Sequence, residues 1–163
     1  MNNCNIYGTK LTDSEYAKDY PQWQDIAMYD IGCPNSSRLH VNGGKVGSIY
    51  GWEQSHMYLF GGAEVDRIHM TGISASNLGL LSVKNATVHE IYYDPASGYN
   101  PSMAVTADAK IDVLQFVDDN ESYGSNFWAN VKIAEGATIG KVIVGEEEMT
   151  LAEFRAKYSI KTL

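Results

Sequence analysis

The sequence predicts an all-β chain: a β-solenoid, in the form of a parallel β-helix of about five coils, with an irregular N-terminal arm and a short C-terminal helix. Three observations predict it. One phrase of seven residues recurs five times, each copy follows a short alternating apolar pair, and each copy opens on a residue suited to a sharp corner. The copies begin at Gly43, Gly62, Asn85, Asp108 and Gly136 and follow the template [GND]-[AG]-x-[VI]-x-x-[ILV]. Their anchors are Val46, Val65, Val88, Ile111 and Ile139, spaced 19, 23, 23 and 28 residues apart.

The arm is residues 1–38. It lacks the repeat, is dense in Tyr and Trp, and is broken by Pro21 and Pro34. These features suit a segment that orders against a partner, or a cap over the first coil. The opening "MNNCNIYGTKLTDSEY" has neither a basic stretch nor an apolar one, so no secretory signal is expected. No run of 18 apolar residues exists to span a membrane as a helix.

The solenoid is expected over residues 39–146. The apolar pairs before the phrases are Leu39/Val41, Met57/Leu59, Leu81/Val83, Met103/Val105 and Val131/Ile133. Alternation with β-branched residues means strand. Gly, Asn and Asp tolerate the left-handed backbone of a tight corner, and the Ala or Gly that follows suits an inward position with little room. So short a unit cannot bury its own apolar face, whereas five stacked units share one interior. The intervals carry insertions at 72–79, 95–101 and 118–128, polar segments that contain Tyr99, Tyr123, Phe127 and Trp128. Solenoid insertions gather on one face, often the binding face, which makes these four aromatics the candidate binding residues.

The tail is residues 147–163. Thr150 and Glu153 form a T-x-x-E capping box, and Leu151, Phe154 and Tyr158 recur on one helical face. A helix is expected at about 151–158, too short to persist unless it packs on something.

Composition narrows the function. The net charge is −8, which disfavours non-specific nucleic-acid binding because that requires a basic surface. Cys4 and Cys33 show neither metal spacing nor a disulfide framework. Aligning the copies places Asp66, His89 and Asp112 in one column, a candidate metal site or acid–base group, or else a solvated ladder with His89 bridging two acids. Arg67 with Glu90, and Lys45 with Glu64, are expected to pair across strands. Asp66 and Asp112, two coils apart, lie at the upper edge of the separation for inverting glycoside hydrolysis. Five coils leave little for a deep cleft, so no catalytic residue, metal or cofactor is assigned. The "DDNESYG" segment at 118–124 departs from a calcium loop in its Gly position and in Ala129, where a glutamate is needed. The hexapeptide spacing of left-handed β-helix transferases is absent.

In its organisation, an aromatic arm, five stacked phrases and the ending "GATIGKVIVGEEEMTLAEFRAKY", the chain resembles bacteriophage fibre and tailspike-type structural proteins. The resemblance covers residues 39–158 and matches no signature motif. It implies a non-enzymatic structural or adhesion protein of the virion, homotrimeric and assembled in the host cytoplasm. Residues 1–38 would attach to a capsid or tail protein, and a host surface glycan is a further partner. The alternative is a carbohydrate-binding or carbohydrate-active β-helix. Tyr50, Tyr92, Tyr93 and Phe116 are expected to need cover from neighbouring copies.

Overall fold

A computed structural model describes residues 2–6, 30–33, 37–52, 55–71, 80–94, 102–118 and 127–163. Most of the expected arm lies outside them, as do Tyr99, Tyr123 and nearly all of the three insertions. The strands are β1 (Asn2–Ile6), β2 (Ile31–Cys33), β3 (Arg38–Trp52), β4 (His56–Phe60), β5 (Ala63–Thr71) and β6 (Leu80–Val83). They continue as β7 (Ala86–Asp94), β8 (Met103–Val105), β9 (Lys110–Phe116), β10 (Val131–Ile133), β11 (Thr138–Val144) and β12 (Glu147–Met149), before helix α1 (Leu151–Tyr158).

These strands overturn the expected parallel β-helix. The chain builds one mixed parallel and antiparallel sheet, curled into a half-barrel. Its order is β10-β8-β6-β4-β3-β5-β7-β9-β11-β12, with β1 and β2 also on β3. Two features separate it from the expectation. Strand β3 runs unbroken for 15 residues through both halves of the first phrase, so the row β4-β6-β8-β10 and the row β5-β7-β9-β11 belong to one sheet. At the far edge β12 turns back on β11 antiparallel.

The copies nevertheless meet in register. Val46 lies opposite Val65, Val65 opposite Val88, Val88 opposite Ile111, and Ile111 opposite Ile139. The same pairings align Val41, Leu59, Val83, Val105 and Ile133 in the other row. All ten side chains are buried. Full burial of a Val, Leu or Ile contributes about 1.5–3 kcal/mol, so each ladder is a large share of the core energy.

The curl has a cause in the side-chain pattern. Alternation fails at matching places: Asp66 and Arg67 are both unburied in succession, as are Asp112 and Val113, and Gly140 and Lys141. Two successive outward residues bend a strand, and bends stacked in register fold the sheet along a line. Close approach accompanies the bend, because a Cβ on Gly140 would sit 2.6 Å from the Asp112 carbonyl oxygen.

The other bend lies at the phrase openings, where the corner expectation holds for only some copies. Gly43, Gly44, Gly61, Gly62 and Asn85 have positive φ, whereas Asp108 and Gly136 do not. The last two corners are ordinary turns closed by Ala109 N–H to Thr106 O at 3.1 Å and Ala137 N–H to Ala134 O at 3.2 Å. The small residues after the openings, Ala63, Ala86, Ala109 and Ala137, are buried as expected.

The ends are covered differently. The arm expected to be irregular supplies two strands instead, β1 and β2, which both pair parallel with β3. Asp30 accepts hydrogen bonds from the Ser48 N–H at 2.9 Å and from its hydroxyl at 3.0 Å. At the other end α1 occupies the bounds the capping box predicts, with both reciprocal cap bonds present. Its Phe154 enters the core beside Phe116, Trp128 and Tyr158. Arg155 donates to the carbonyls of Ile133 and Ala134, tying the helix to the end of β10. Of the four aromatics expected to need a neighbouring copy, Tyr50, Tyr93 and Phe116 are buried within the single chain and Tyr92 is half-buried. They therefore give no support to a trimer.

Candidate functional site: an aromatic groove on the outer face

Between the residues of each apolar pair stands one outward residue. Register places His40, Tyr58, Ser82, Ala104 and Lys132 in a single outward column. Large rings occupy its first two positions and small side chains the next two. Tyr58 and Ser82 border a concavity of about 420 Å³, lined also by His40, Phe60, Lys84, Asn85 and Asp108 among others.

The ring geometry is well defined. His40 stacks on Tyr58 with centroids 4.7 Å apart and planes at 29°. Phe60 meets His40 edge to face at 6.4 Å. His56 runs nearly parallel to Tyr58, its Nδ1 3.3 Å from the phenol oxygen. Tyr58 is thus braced by two imidazoles from β3 and β4, an arrangement that restricts its rotamers before any ligand arrives.

The polar side of the groove comes from the corners. Lys84 and Asn85 lead into β7, and Asp108 sits in the turn before β9. The Thr106 hydroxyl donates to the Asp108 carboxylate and holds its pKa below the usual range, with the Lys84 charge assisting. The groove therefore joins aromatic surface to an anionic acceptor, an ammonium donor and an amide that does both.

The columns singled out from the sequence form a different feature. His89 Nδ1 lies 2.6 Å from Asp112 Oδ2, and its Nε2 faces Glu64 Oε1 at 3.7 Å. Glu64 also holds Lys45 at 2.8 Å. The second acid touching His89 is thus Glu64, while Asp66 acts on it through charge at longer range. Asp112 raises the His89 pKa, chiefly by that hydrogen bond, and Lys45 lowers that of Glu64 in the same way. Arg67 and Glu90 pair at 2.8 Å. Every member is substantially exposed, and among the described residues no group of His, Cys, Asp and Glu has the geometry to hold a metal. This is a surface brace across four strands.

Of the four candidate binding aromatics, Trp128 is buried. It sits 4.8 Å from Phe116 and 4.7 Å from Tyr158, ring to ring, so its side chain serves the core. Phe127 opens the 3-10 turn Phe127–Asn130. The calcium-like segment falls outside the described residues except for Asp118. The columns on either side of the anchors do not contain the groove residues. The same alignment applied to the middle residue of each apolar pair reads His, Tyr, Ser, Ala, Lys, and the step in size is visible there.

Among the described residues no helix is long and apolar enough to cross a membrane. No protein-family model, no curated protein and no solved structure matches the chain.

Proposed function

We propose that the chain is a non-enzymatic adhesion protein that binds carbohydrate in the groove beside Tyr58. The observation that carries the reading is the pairing of a braced aromatic face with Asp108, Lys84 and Asn85 along one concavity. A sugar has an apolar C–H face and an edge of hydroxyls that both donate and accept. An aromatic ring beside carboxylate, ammonium and amide groups complements both parts. The acidic pairs elsewhere fit a hydrolase poorly. Asp112 is engaged by His89 on an open surface, whereas glycosidic cleavage calls for two carboxylates flanking a bound bond.

A place on a phage particle belongs to the same proposal. Its support is the organisation of arm, stacked phrases and terminal helix, and capsid or tail genes on either side would test it. The binding reading is tested by a glycan array followed by titration calorimetry on the intact chain. Binding that Tyr58→Ala and Asp108→Ala each weaken, with unchanged unfolding midpoints, supports it. An array on which the chain binds no glycan overturns it.

A further inference from the structure

The outward column also indicates where the sugar sits and of what kind it is. We infer that the subsite is the interruption of the ring ladder at Ser82, and that its occupant is a neutral pyranose lying against Tyr58. This rests on the carbohydrate reading above and deepens it.

The ladder runs along the direction in which strands stack. His40 covers one face of Tyr58 at 4.7 Å, close to the spacing of about 4.8 Å between neighbouring strands. The next strand, β6, places Ser82 opposite Tyr58, and β8 places Ala104 opposite Ser82. The column thus has the period for another ring but supplies only a hydroxymethyl and a methyl group. Tyr58 and Ser82, opposite one another in the register, both line the concavity. A pyranose has a flat apolar face of axial hydrogens, and placed there it would continue the ladder at the same spacing. Its hydroxyl edge would meet Lys84, Asn85 and Asp108.

Charge selects among sugars. Thr106 donates to the Asp108 carboxylate and holds its pKa below the usual range. The chain as a whole carries −8. A uronate or other acidic sugar would bring its carboxylate toward both, while a neutral hydroxyl pair can donate to Asp108 and accept from Lys84.

The test fills the gap from the protein side. A glycan array of neutral and acidic glycans identifies the best ligand of the unaltered chain, and calorimetry compares it across variants. Ser82→Tyr extends the ladder into the subsite and should weaken binding of a neutral glycan by about tenfold or more, the scale of one aromatic stack. Ser82→Ala should stay within about twofold, since it opens the same space. Should Ser82→Tyr fail to fold, Tyr58→Leu reads the same contact and should lose about tenfold while keeping apolar bulk. A chain that binds glycans with equal affinity before and after Ser82→Tyr and Tyr58→Leu overturns this placement and leaves the broader reading standing. A preference for acidic over neutral glycans overturns the assignment of ligand charge. No glycan binding at all removes the broader reading, and this inference with it.

Discussion

The imidazole of His89 lies 2.6 Å from the carboxylate of Asp112, across the pairing of β7 with β9 and 23 residues away in the chain. Glu64 approaches the other ring nitrogen from β5, and Lys45 reaches Glu64 from β3. One imidazole therefore links a run of charges across four strands at the line where the sheet bends.

This linkage predicts a pH dependence. Asp112 raises the His89 pKa in the folded state above its ordinary 6.5. The stabilisation is therefore fully present below the unfolded pKa and is lost as pH rises through the folded one. Imidazole NMR should show His89 titrating above free histidine, with Asp112→Asn returning it downward. The stability difference between the parent and His89→Gln should shrink on going from pH 5 to pH 9. Because the groups are exposed, the whole effect should stay within about 1 kcal/mol.

Phe154 carries the helix onto the core, fully buried among Phe116, Trp128 and Tyr158. Phe154→Ala should destabilise the fold by about 3–5 kcal/mol, through lost transfer energy and the cavity left behind. Urea unfolding would register this as a lower midpoint. A loss below about 1 kcal/mol would show that the aromatic cluster does not anchor the helix.

The same helix depends on its first turn. The Thr150 hydroxyl accepts from Glu153 N–H at 3.2 Å, and the Glu153 carboxylate accepts from Thr150 N–H at 2.7 Å. Thr150→Ala should lower stability by about 1 kcal/mol, and Thr150→Ser should retain most of it. Thermal unfolding of the two variants in parallel checks the ranking.

At the bend, Gly140 faces the Asp112 carbonyl so closely that an added Cβ would stand 2.6 Å away. The obstacle is backbone and cannot rotate aside. Gly140→Ala should cost about 1–3 kcal/mol, the range for overpacking. Equal stability of parent and variant would show that β9 and β11 separate readily at the bend.

Cys33 is buried, and burial pushes its thiol up to about 11. The thiolate is the reactive form, so in a Cys4→Ser background alkylation at pH 8 should be slow in the folded chain and fast in urea. Rapid modification of the native chain would place Cys33 at an opening surface.

Much of this protein could be read directly from its residues, and the division follows the range of the interactions. The cap bonds of Thr150 and Glu153 span three residues, so their pattern is local and the helix follows from it. The pairings of Lys45 with Glu64 and Arg67 with Glu90 join separate strands, yet the repeat supplies its own alignment and makes them readable. His89 shows the limit of that method. A column aligned by phrase position names Asp66 as a neighbour, but the side chain that reaches the ring is Glu64, two residues away on the same strand and on the other side of Val65.

What the amino acids determined by themselves was the strands of the five phrases and their apolar pairs, the row of anchors from Val46 to Ile139, and the capped helix, because each depends on spacing and side-chain type within or between like phrases. Tertiary structure alone decided that these strands form one curled sheet, since that depends on β3 running through its Gly43–Gly44 bend and on β12 pairing backward. It also decided that Trp128 belongs to the core, and that Tyr58 borders a groove. Both outcomes depend on which side chains from distant strands arrive next to one another, and in the groove it is the small Ser82 that stands beside the ring.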